Sequence, residues 1–171
     1  MHFDLVPIGD VDVQLAAKIA TLQDGTREWR GEFESMSPEE LTWQPYPDGP
    51  SIGGCILHMA GCEAWWLQAV VRGEELDASN PAIAYDAALD QDNHVWPTPP
   101  AESPEWYFDI LSAQREKTIA LITEHNDPDS VHVRPSGNSF TFRWIVARLV
   151  QHDSYHGGQC VMLHEMWKKR G

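Results

Sequence analysis

Apolar positions near the C-terminal end of the chain recur at alternating steps of four and three: Ile145, Leu149, His152, His156, Gln159, Leu163, Met166. That spacing is the inward seam of an amphipathic helix, here from about Thr141 to Lys168. Three consecutive seam positions, His152, His156 and Gln159, are polar, and burying such groups costs free energy unless something satisfies them. The same alternation runs through Leu15, Ile19, Leu22, Thr26, Trp29, Phe33 and Met36, and predicts a first helix from Val11 to Phe33. A second helix, from Ser51 to Arg72, carries two parallel stripes. One is Ile52, Ile56, Met59, Glu63, Trp66 and Val70; the other is Cys55, His58, Cys62, Trp65 and Ala69. Tyr107, Leu111, Gln114, Thr118, Leu121 and His125 trace the seam of a third long helix, opened by Ser103-Pro104-Glu105.

Proline and glycine punctuate the connections. Ser37-Pro38-Glu39-Glu40 reads as a capping box opening a single turn, which Trp43 to Pro50 then forbids from continuing. Residues 73–102 form a connection long enough to be unusual in a compact domain, and such segments are often functional. Residues 129–140, with Arg134-Pro135-Ser136-Gly137-Asn138, read as an irregular hairpin-like loop. The expected architecture is all-α: one domain over residues 1–171, a four-helix bundle with long crossover loops.

Composition narrows the function classes. The 171 residues include eight tryptophans and carry a formal charge of −14, and Lys168, Lys169 and Arg170 are the one basic cluster. That balance excludes a surface that tracks nucleic-acid phosphates, and the terminal trio suits the negative end of a helix. Nothing approaches the ~20 apolar residues of a membrane span. Met1 to Asp10 lack the basic start and apolar run of a secretory signal. Cys55, Cys62 and Cys160 have no disulfide-framework spacing, so they are expected as reduced thiols in the cytoplasm.

The chemistry concentrates on the polar seam. Residues four apart on a helix have Cβ atoms ~5–6 Å apart, so His152 and His156 can close on one metal ion. His58, on an apolar helix, is the candidate third ligand. Three imidazoles leave a divalent ion with open positions, the arrangement of a catalytic site. The alternative is three hydrogen-bonded core histidines. Imidazoles do not choose among Zn, Ni, Fe and Mn. The cysteines are expected as small buried hydrophobes, with thiolate ligation by Cys55 or Cys62 as the minor reading. Gln159 would hold a bound water or substrate group, or pair as a seam amide with another helix. Glu63 is the candidate general base, with a buried ion pair to Arg115 or Arg148 as its alternative. Asp153 is expected as a solvated carboxylate and His164 at the surface. His2, His94, His125 and His132 receive no role. Gly157-Gly158 in mid-helix calls for a close approach by another helix or a ligand. Trp65-Trp66 is read as core or dimer interface ahead of a substrate wall.

Ile56-Leu57-His58-Met59-Ala60, followed by Glu63 and Trp66, resembles the second-helix signature of the DinB/YfiT-like superfamily. His152-Asp153-Ser154-Tyr155-His156-Gly157-Gly158-Gln159 is similar to that family's fourth-helix motif, and the segment order agrees over nearly the whole chain. The resemblance implies an up-down-down-up bundle, a divalent metal at His58, His152 and His156, and a homodimer. It also implies a small-molecule substrate and, by analogy with some relatives, a thiol S-transferase using a low-molecular-weight thiol. Metal-assisted hydrolysis and non-enzymatic metal or ligand binding are the alternatives. No nucleic-acid partner is expected. The flanking Cys55 and Cys62 lie outside the family motif.

Overall fold

The computed structural model describes residues 4–7, 9–33, 35–134 and 136–170. Its long helices are α1 (Val13–Arg30), α3 (Ile52–Ala64), α5 (Pro104–His125) and α6 (Phe142–Lys169). Between them lie two short helices, α2 (Pro38–Thr42) and α4 (Pro81–Ala88), and a hairpin of β1 (Val131–Val133) and β2 (Ser139–Thr141). The hairpin strands are antiparallel, with His132 opposite Phe140. No helix among the described residues is long and apolar enough to cross a membrane.

Side-chain contacts fix the direction of each long helix. Thr26 and Trp29 of α1 bond Asp153 of α6, and Phe33 just beyond α1 meets His164, so α1 and α6 run parallel. Glu63 meets Arg115 and Gln68 meets Gln114, while Gly53 lies against Tyr107 and Arg72 reaches Glu124, so α3 and α5 also run parallel. Cys160 reaches back to the Ile52 carbonyl while Trp144 meets Trp66, so the two pairs oppose each other. The result is the up-down-down-up bundle.

The caps follow the local chemistry. Ser37 and Glu40 close the capping box, and Ser51 and Ser103 accept from the backbone N–H of Gly54 and Trp106. Helix α1 stops at Arg30, short of the expected Phe33, yet Phe33 and Met36 stay buried in the core. In α5 it is Ile122, not Leu121, that is fully buried. Two features depart from the sequence pattern. Beyond Ala64 the second helix widens into a π-helical stretch, Trp65–Val71, so the N–H of Arg72 reaches the carbonyl of Leu67. Such widened turns recur at functional sites. The long connection is also not irregular throughout, because α4 forms inside it. Asn80 caps α4 by accepting from the Ala82 N–H, and Pro81 occupies its first turn.

Candidate metal centre

The α3 helix is buried on nearly every side, because α4, α5 and α6 all pack on it. His58 therefore points inward whichever stripe it belongs to, and is 7% exposed. His152 and His156, at 7% and 5%, approach from α6. The Nε2 atom of His152 lies 3.1 Å from Nε2 of His58 and 3.1 Å from Nε2 of His156. Among the described residues these three histidines form the group whose ligand atoms converge, all within 4.8 Å of one another. Ligand nitrogens ~2.0–2.1 Å from one ion in tetrahedral array sit roughly 3.3–3.4 Å apart, close to the two separations that His152 makes.

The backs of two rings are held. Asp86 of α4 lies 2.5 Å from Nδ1 of His58, and the Gln159 amide oxygen lies 2.7 Å from Nδ1 of His156. A carboxylate and an amide oxygen only accept, so both Nδ1 atoms donate, which in a neutral imidazole leaves the lone pair on Nε2. Nε2 of His152 faces both, and one proton cannot satisfy two acceptors well. Burial pushes His152 down to about 2, and the neighbouring His156 and His58 add to it, so its ring is neutral. A donor set of three converging imidazoles fits a cation. The carboxylate–histidine arrangement is the one that orients metal-ligating rings.

Asp86 was missed by sequence reasoning because it lies in the 73–102 connection. The signal that could have found it is Asn80-Pro81, a helix start inside that segment. Gly61, one turn after His58, allows α4 to come so close: a Cβ there would stand 2.6 Å from the Cβ of Asp86. Trp96, also from this connection, packs edge-on against His58 with ring centroids 5.4 Å apart. The connection thus walls the site. A cavity of about 1260 Å³ opens above the histidines, lined also by Cys62, Trp65, Trp66, Trp144, Tyr155 and Gln159. Trp65 and Trp66 stand in the cavity wall, in addition to the packing of Trp66 against Phe140.

The other sequence-predicted residues have partners of their own. Glu63 is bound to Arg115 at 2.6 Å, so the ion-pair reading describes its contacts and Arg148 is not its partner. Asp153 is 3% exposed, not solvated: it accepts from Thr26, Trp29 and Arg115 at 2.7, 3.1 and 2.8 Å. His164 is buried against Phe33, not at the surface. Both errors have one cause. A single inward seam was assumed for α6, which packs against α1 on one face and α3 on another. Gln159 pairs with another helix, its amide oxygen accepting from the Cys55 thiol of α3, and the same oxygen holds the His156 ring. Gly157 admits the Trp29 ring, which a Cβ would meet at 2.5 Å. Cys55 and Cys160 are fully buried, as expected of small hydrophobes. Cys62 lines the cavity, but desolvation, with Asp86 and Glu63 adding, pushes its thiol up to about 12. His94 lines the cavity outside the cluster, and His125 and His132 pack around Phe142. His2 lies outside the described residues.

A sequence profile described as the DinB superfamily matches residues 21–160. A crystal structure of a conserved protein from Enterococcus faecalis superposes with a TM-score of 0.57 at 16% identity, over 86% of this chain and 92% of that one. The likeness is one of fold. A search of curated proteins finds no match to this chain.

Proposed function

The chain belongs to the DinB superfamily, and on that premise we propose a divalent-metal-dependent enzyme acting on a small molecule, with His58, His152 and His156 as the ligands. One observation carries the reading: Asp86 and Gln159 hold the Nδ1 atoms of His58 and His156, which turns their Nε2 atoms onto the point that Nε2 of His152 also faces. The open cavity above that point favours catalysis over a closed structural site. A divalent ion held there, Zn or Ni ahead of Fe or Mn, lowers the pKa of a thiol or water and supplies a thiolate or hydroxide at neutral pH. The favoured reaction is S-transfer from a low-molecular-weight thiol to an electrophile, with hydrolysis as second choice. Asp86 and Gln159 fix the tautomers of His58 and His156, and the Trp65, Trp66 and Trp96 rings exclude water. Glu63, bound to Arg115, holds the bundle together behind the site and is not assigned the base. Three free cysteines support a cytoplasmic setting, and the exposed apolar side chains of α6 support a homodimer.

Elemental analysis of protein purified without an affinity tag tests the site. The expected result is about one divalent ion per chain, absent from His156→Ala, with affinity ~10–100-fold weaker in Asp86→Asn. Retained stoichiometric metal in His156→Ala, with an unchanged melting curve, would sink the three-histidine centre.

A further inference from the structure

The cavity contains two arginines that the metal reading leaves unused. Arg134, in the turn after β1, lays its guanidinium over the rings of Trp65 and Trp66, at 4.6 and 5.5 Å from their centroids. Its Nε is buried without a hydrogen-bond partner. Arg148 lines the same cavity from α6, one turn before His152, about 6 Å along the helix axis. Neither guanidinium has a carboxylate partner among the described residues. Of the other arginines, Arg30 bonds Ser112 and lies over Phe108. Arg27, Arg72, Arg115, Arg143 and Arg170 all pair with carboxylates. Acids outnumber bases by 26 to 12, so partners are plentiful. The two carboxylates lining this cavity are engaged elsewhere, Asp86 by His58 and Asp90 by Asn93. A guanidinium fork is shaped for bidentate recognition of carboxylate or phosphate; Arg148 is exposed and free to reach such a group, and the partly buried Arg134 has an Nε in want of a partner.

We propose that Arg134 and Arg148 bind an anionic group, carboxylate or phosphate, on an elongated substrate whose reacting end lies at the three histidines. The stretch between the two ends lies along Trp65, Trp66 and Trp144. The position of the reacting end rests on the metal-enzyme reading; the anion site does not.

Calorimetric titration with matched probes separates the two. The probes are 3-phenylpropionate, phenylphosphonate and the neutral 3-phenylpropanol. Each is titrated into chelator-stripped protein, where a carboxylate has no metal to bind, and again after zinc is restored. The stripped native protein is expected to prefer at least one anionic probe over the alcohol by about tenfold or more. That preference should fall about threefold in Arg134→Gln and in Arg148→Gln, vanish in the double variant, and fall less in Arg148→Lys, which keeps the charge but not the fork. Whether phenylpropionate or phenylphosphonate binds tighter identifies the anion. Equal or undetectable binding of the anionic probes, or a preference that persists in a folded double variant, overturns the proposal. An anion preference in protein that takes up no zinc sustains the anion site while removing the metal reading.

Discussion

His152 faces two other imidazoles in a nearly dry setting, and that has a consequence for stability. Desolvation first, then His156 and His58, take it from an ordinary value of 6.5 down to about 2 in the folded chain. Between those values the unfolded chain binds a proton that the folded chain refuses, so stability rises with pH there. The contribution is complete above pH 6.5 and is lost as the pH falls below it. Urea unfolding of chelator-stripped protein should show a loss of about 1.4 kcal/mol between pH 7.5 and 5.5 from this group. His152→Gln should flatten the dependence by that amount. A native pH profile identical to the variant's would show that the ring does not titrate this way. The histidines were legible because polar residues interrupted an apolar seam at ligand spacing. Asp86 and Asp153 were not, because a carboxylate in a helical wheel or a loop looks solvated until its partners from other elements are known.

At the scale of the element, α6 is a helix with two buried faces. Ile145, Leu149, His152 and His156 turn toward α3 and the cavity, while Asp153, Gly157 and His164 turn toward α1. The paired glycines report this division. A Cβ on Gly157 would stand 2.5 Å from Cδ1 of Trp29, whereas Gly158 has nothing within 4 Å. Gly157→Ala should therefore destabilise the protein by ~1–3 kcal/mol through overpacking. Gly158→Ala, in an exposed helix interior, should stabilise it by roughly 0.5–1 kcal/mol. Thermal melts of the two variants should move in opposite directions; movement in the same direction would contradict the packing of Trp29 on α6. The sequence pattern placed all four long helices within a few residues, because their seams are regular and their caps conventional. It missed α4 because eight residues are too few for a periodic signal, and the docking of that helix depends on Gly61 across the gap. It missed the π-helical turn because nothing in Trp65–Val71 distinguishes i→i+4 from i→i+5 bonding.

At the scale of the molecule, an apolar groove among the described residues lies open at the surface. Tyr46, Tyr155, Met162 and Met166 are 60%, 64%, 63% and 44% exposed. They line a shallow groove with Pro45, Pro50 and Leu163 along the outer side of α6. Elsewhere the surface of a chain with net charge −14 repels its own kind, so association needs an apolar patch of this sort. A two-fold contact would set the same patch against itself, since an isologous interface is self-complementary. Tyr155 and Gln159 line both this groove and the histidine cavity, so a second copy seated here would border the entrance to the site. Sedimentation velocity should find a dimer that Met162→Glu converts to monomer, because two like charges would face each other across an apolar contact. The variant's metal content should be unchanged, since Met162 is outside the histidine group and does not line its cavity. A native protein sedimenting as monomer at high micromolar concentration would refute the dimer while leaving the site, which is built within one chain, as it is.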